Sequence, residues 1–73
     1  MPVVDVPAPM AGSIKEILVS VGEAVAAGQE LLILESMKME IPLESPVGAS
    51  VAEILIAPAE HIDEGQVLLR LDA

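Results

Sequence analysis

Apolar residues fall in short blocks along this chain, with charged or turn-forming residues between them. The densest block is Leu31-Leu32-Ile33-Leu34, bounded by Glu30 and Glu35. Its length and its bounds predict a buried strand. Val3-Val4-Asp5-Val6 predicts a first strand, closed by Pro7-Ala8-Pro9. Pro9 to Gly12 predicts a turn, and Ser13 to Val19 a second strand. The alternation of that strand slips at Lys15-Glu16, which predicts a bulge. Gly22-Glu23 and Gly28-Gln29 mark turns, the second leading into Glu30–Leu34. Glu40 to Glu44 predicts another short strand. No long amphipathic run interrupts this pattern, so the fold class is all-β, a sandwich or flattened barrel.

The pattern repeats. A shift of thirty-seven residues lays 9–35 on 46–72 without a gap, with eleven of twenty-seven positions identical. The clearest shared unit is Val25-x-x-Gly28-Gln29-x-Leu31-Leu32-x-Leu34 against Ile62-x-x-Gly65-Gln66-x-Leu68-Leu69-x-Leu71. Glu16-Ile17-Leu18 matches Glu53-Ile54-Leu55, and Glu23 matches Glu60. Two like halves imply two like strand sets about a pseudo-two-fold axis, each burying its apolar face on the other. Gly28 and Gly65 then occupy equivalent turns that need a positive φ.

At the join of the halves stands Glu35-Ser36-Met37-Lys38-Met39-Glu40. Glu, Met, Lys and Leu are good helix formers, and Pro42 would stop a helix near Ile41. A helix there would break the symmetry, so a hairpin turning on Met37-Lys38 is the better expectation. Two-residue hairpins prefer Asn-Gly or Asp-Gly, and neither is present. A tip that forgoes good turn residues and shows methionine to water presents Lys38 to something. Lys38 has no partner in the repeat, since subtraction of thirty-seven gives Met1. It belongs to the join and not to the scaffold.

Composition narrows the function. Seventy-three residues make one small domain, 1–73, with a modest core. The longest apolar runs are far below the ~18 residues of a helical membrane span, and the N-terminus lacks the basic region of a signal peptide. No membrane partner and a cytoplasmic location are therefore expected. The net charge of -9 repels nucleic acid and favours basic protein surfaces. With no Phe, Tyr or Trp there is neither a base-stacking platform nor an aromatic pocket for a substrate. With no Cys there is neither a disulfide nor a thiolate metal site.

Glu35-Ser36-Met37-Lys38-Met39 closely resembles the Glu-Ala-Met-Lys-Met motif of biotinyl domains, the biotin carboxyl carrier family. Pro9-Met10-x-Gly12 and Gly22-Glu23-x-Val25-x-x-Gly28-Gln29-x-Leu31 are similar to that family's turn and strand segments. The resemblance spans nearly the whole chain. It implies a flattened β-barrel of two four-stranded sheets with quasi-two-fold symmetry and the lysine on an exposed hairpin. It further implies that a biotin protein ligase joins biotin to the Lys38 amine. Biotin on Lys38 then shuttles a carboxyl group from a biotin carboxylase to a carboxyltransferase, and the domain itself catalyses nothing. Met37, Met39 and Glu35 become recognition residues for the ligase and other partners. Ser36 stands where the family more often has Ala. Gly48-Ala49 and Ala59 depart from its second-half pattern, which puts the loops near 48–50 and 58–61 in question.

Other readings of Lys38 are a lipoyl attachment site, a Schiff-base amine, or a plain surface lysine on an unmodified adaptor. Lipoyl domains usually carry Asp-Lys-Ala at the tip, against the two methionines here. A Schiff-base lysine needs burial or a neighbouring cation, whereas Glu35 and Glu40 are the nearest charges in sequence and would hold an ammonium. His61, the one histidine, lacks converging ligands and is a poor metal candidate. Met10 is expected in the core. Asp63, Glu64 and Asp72 are expected to be solvated charge.

Overall fold

Each segment forecast as a strand forms one in the computed structural model, which describes residues 2–73. The strands are β1 (Val3–Pro7), β2 (Gly12–Ile17), β3 (Ala24–Val25), β4 (Glu30–Ser36), β5 (Met39–Glu44), β6 (Ala49–Ile54), β7 (His61–Ile62) and β8 (Val67–Asp72). One sheet runs β1-β8-β6-β3 and the other β5-β4-β2-β7, all neighbours antiparallel. The described residues form no helix, hence none long and apolar enough to cross a membrane. The second strand is shorter than expected, ending at Ile17 while Val19 is buried beyond it.

The thirty-seven-residue shift carries one sheet onto the other. It takes β2 onto β6 and β3 onto β7, β4 nearly onto β8, and β1 onto residues 40–44 of β5. That last match has no identical residue to announce it; only the apolar pairs Val4/Ile41 and Val6/Leu43 hint at it. The bulge expected at Lys15 lies between Ile14 and Glu16, and its twin between Val51 and Glu53. A second irregularity, at Glu30/Leu32, explains why Leu31 and Leu32 are both wholly buried although adjacent strand residues normally face opposite ways.

The core holds the same pairs: Ile14/Val51, Val19/Ile56, Val25/Ile62, Leu31/Leu68, Leu32/Leu69 and Leu34/Leu71. Met10 is not among them; it is half-buried outside the cluster, because the turn that carries it lies at the barrel's end. Ser45 is the one buried polar residue among the described residues, and its hydroxyl donates to the Val47 carbonyl at 2.6 Å.

The identities shared by the two halves are turn chemistry. The Glu23 carboxylate accepts from the Ser20 amide at 3.1 Å, and Glu60 accepts from Ala57 at 3.1 Å. The Gln29 side-chain oxygen accepts from Ala26 at 3.0 Å, and Gln66 from Asp63 at 3.0 Å. Gly28 and Gly65 have φ of 85° and 84°, as the repeat predicted. Their amides cross to the other half, donating to the carbonyls of Ser45 and Ala8. The departures near 48–50 and 58–61 do not alter the pattern. Ala59 replaces Gly22 with φ 71°, and both amides make the same 2.7 Å bond, to Ile14 and Val51 respectively.

Ala59 therefore holds a left-handed conformation that disfavours a Cβ by about 1–2 kcal/mol. Replacement by glycine removes this and loosens the unfolded chain, an opposing ~0.4–1 kcal/mol. Ala59→Gly is expected to stabilise the domain by about 0.5–1 kcal/mol, and Gly65→Ala to destabilise it by about 1 kcal/mol. Urea unfolding of the two variants with an unchanged slope checks both signs.

Candidate functional site

Ser36 pairs with Met39 at the end of the β4–β5 ladder, so Met37 and Lys38 are the whole loop. Their φ values are 53° and 65°. Two left-handed residues in a two-residue loop match the type I′ hairpin, whose twist suits the flanking strands. The turn thus has the geometry that Asn-Gly prefers, built from residues that resist it. Each costs about 1–2 kcal/mol in that region. The helix alternative for this stretch is excluded.

The rest of the hairpin holds the strained loop in place. Glu35 pairs with Glu40, Leu34 with Ile41 and Ile33 with Pro42 across the strands. Leu34 is wholly buried and roots the hairpin in the core. The Ser36 hydroxyl donates to the Ala11 carbonyl at 2.9 Å, tying the tip to the turn before β2. An alanine at 36 would lack this bond. Beneath the tip lies Gly12, where a Cβ would stand 2.5 Å from the Glu35 carbonyl oxygen and 3.2 Å from the Ser36 Cβ. Its repeat counterpart is Ala49. The barrel thus accepts a side chain at this position, and the requirement for glycine comes from the hairpin packed over it.

At the tip Met37 is 87% exposed and Met39 55%, values that leave the first free and the second half-seated. Lys38 is exposed and makes no ion pair among the described residues. The expectation that Glu35 and Glu40 would serve Lys38 is corrected here. Both carboxylates instead face Lys15, whose Nζ lies 2.8 Å from Glu40 and 3.9 Å from Glu35. The hydrogen bond to Glu40, then the charges of Glu40, Glu35 and Glu16, push the Lys15 pKa above its ordinary value. The bulge that projects Lys15 was legible in the sequence; its partners across the sheet were not.

His61 was expected to lack converging ligands for a metal. It is exposed in β7 opposite Ser13 of β2, with Nε2 3.7 Å from the Asp63 carboxylate. It lines a shallow open depression beside the tip together with Gly12, Ser13, Ser36, Met37 and Lys38. Among the described residues no group of His, Cys, Asp and Glu is arranged to hold a metal.

Comparison with known proteins adds to this geometry. A family model described as "Biotin-requiring enzyme" matches residues 3–71. The methylmalonyl-CoA carboxyltransferase 1.3S subunit of Propionibacterium freudenreichii is 56% identical over 36 residues, 49% of this chain and 29% of that protein. The biotin carboxyl carrier protein of Streptococcus mutans is 59% identical over 34 residues, 47% of this chain and 26% of that protein. The chain thus aligns with well under half the length of these two relatives. A solved single-chain, multi-domain long-chain acyl-CoA carboxylase superposes with a TM-score of 0.91 at 28% identity, covering 96% of this chain and 7% of that one. With the match running from the first strand to the last, the chain belongs to the biotin-requiring, biotin/lipoyl family.

Proposed function

We propose that this domain is a biotin carboxyl carrier in which biotin is joined by an amide to Nζ of Lys38. The observation that carries this is the tip itself: an exposed amine without an ion pair among the described residues, on a two-residue loop kept in an unfavourable conformation. The residues present fit the group. The depression beside Lys38 is open, so an arm built on that amine meets no enclosing wall. When bound, biotin supplies a ring that takes up and releases a carboxyl group.

The chain's own residues hold and present the attachment point. The β4–β5 ladder, the Ser36 hydrogen bond and the close seat on Gly12 fix where the arm begins. Met37 and Met39 offer unbranched, polarisable side chains that mould to an enzyme surface. Glu35 is a third recognition contact. Partners on this reading are a biotin protein ligase, a biotin carboxylase and a carboxyltransferase, acting on a non-catalytic cytoplasmic domain. The acidic surface suits basic docking faces on these enzymes.

Co-expression with a biotin protein ligase is expected to yield avidin-binding protein, and Lys38→Arg to abolish it. Intact mass of protein from the native host separates a biotinyl from a lipoyl adduct, and peptide mapping that found the group on Lys15 would overturn the assignment. Met37→Ala and Met39→Ala are expected to shift stability by roughly 0.5 kcal/mol or less, because Met37 is almost fully exposed and Met39 more than half exposed. They should instead slow biotin attachment in ligase kinetics. Conversely, the double change Met37→Asn with Lys38→Gly supplies a favoured type I′ turn and is expected to stabilise the domain by about 1–2 kcal/mol while ending attachment. Denaturant unfolding and an avidin blot on the same sample test both halves of that trade.

A further inference from the structure

Glu35 and Glu40 stand directly opposite each other on β4 and β5, one residue pair below the Ser36–Met39 closure of the tip. Like charges in that relation repel. Lys15 lies over the pair from the bulge in β2, close to both carboxylates. Lys15 and Glu40 have no charged counterpart in the repeated scaffold, while Glu35 keeps an acid there. Under the thirty-seven-residue shift Lys15 becomes Ala52, Glu35 becomes Asp72 and Glu40 becomes Val3. Val3 and Asp72 are likewise a cross-strand pair, but at the other end of the barrel, with neither two acids nor a cation. A second opposed acid pair, Glu30 and Glu44, lies at the far end of the same two strands, and Arg70 bridges Asp5 and Glu53 on the other sheet. Among the described residues the opposed pair and the bridging cation coincide beside Lys38.

We propose that Lys15 is a specificity-determining residue for acylation of this chain: by spanning Glu35 and Glu40 it withholds its own amine from reaction and engages the Glu35 carboxylate that shares a depression with Lys38. This deepens the carrier reading and rests on it. Acylation requires the neutral amine. Its nitrogen attacks the carbon of an activated carboxyl group, a C–N bond forms, the bond to the leaving group breaks, and the nitrogen gives up a proton to solvent. Lys15 is held as an ammonium by Glu40 on β5 and Glu35 on β4, with Glu16 adjacent on its own strand. Lys38 shares its depression with Glu35 and His61, and His61 itself faces Asp63. With Lys15 in place, the Glu35 charge on that side is compensated. Without it, Glu35 and Glu40 are uncompensated beside the tip, and the remaining nearby cation is Lys38. Its amine would then be the partner left for Glu35 to pair with, and a paired amine is slower to acylate.

The test uses the unmodified full chain and a small neutral reagent, N-hydroxysuccinimidyl acetate, with rates read at each lysine by peptide mass spectrometry from about pH 7 to about pH 10. Lys38 is expected to acetylate about three- to ten-fold faster than Lys15 through most of this range. Glu40→Gln should raise the Lys15 rate toward that of Lys38. Lys15→Met should slow Lys38 by about two- to four-fold near neutral pH and move its pH profile upward, whereas Lys15→Arg should leave Lys38 as in the parent. Equal rates at the two lysines in the parent chain would overturn the proposal. So would an unmoved Lys38 profile in Lys15→Met, or a Lys15→Arg variant that behaves like Lys15→Met. A loss confined to folding would lower the unfolding midpoint without moving the pH profile, and that outcome also counts against it. Failure of avidin capture would sink the carrier reading alone, since these rates are measured without ligase or biotin.

Discussion

Neither half of this chain can complete a sheet by itself. In one sheet β8 and β6 of the second half are flanked by β1 and β3 of the first; in the other, β4 and β2 are flanked by β5 and β7. Each edge strand is therefore borrowed, and the two-residue strands β3 and β7 have no independent existence. The consequence is that the barrel forms as one cooperative unit or not at all, with sequence-distant strands brought together before their hydrogen bonds repay the loop closure. The edges so made are short or carry proline, as at Pro7 and Pro42, which discourages a further strand from adding.

That mutual dependence is what lets one hairpin be built badly for its own stability. A free β4–β5 hairpin with Met-Lys in a type I′ turn would be marginal. Here Leu34 is wholly buried, Ser36 is bonded across to Ala11, and the backbone over Gly12 sits too close for any other residue. Strain at the loop persists because the surroundings over-determine it. The backbone of Lys38 is consequently fixed relative to the barrel while its exposed side chain, and the amine at its end, remain free.

Much of this was written in the sequence because turns repeat more faithfully than strands. Gly28-Gln29 and Glu23 recur as Gly65-Gln66 and Glu60 since each does a backbone job that few residues can do. The match of β1 to β5 was hidden, because an edge strand asks only for apolar residues at alternate positions and Val3–Pro7 shares no identity with 40–44. The turn at Ala59 was open to doubt for the opposite reason: its conformation is set by a backbone hydrogen bond to Ile14 that a missing glycine does not abolish. Lys38 was singled out by the oddity of its turn, and the structure shows that turn to be a two-residue hairpin loop. The company it keeps was misassigned, since neighbours in sequence were taken for neighbours in charge. Glu35 and Glu40 point to the sheet face where Lys15 emerges, a relation that only the register of three strands reveals.

The Ala73 amide donates to the Pro2 carbonyl at 3.1 Å, the bond that symmetry makes the counterpart of the Ser36–Met39 closure. The two points are exchanged by the pseudo-two-fold, so they occupy opposite ends of a body 35 Å long and about half as wide. Any chain continued from either side would depart from one spot, as from the swivel of a pendulum, with the lysine at the bob. A turn about that swivel sweeps the lysine through an arc whose radius is the length of the barrel plus the arm. On the carrier reading proposed above, the rigid domain is itself a lever, and shortening the barrel would cut the reach as surely as shortening the arm.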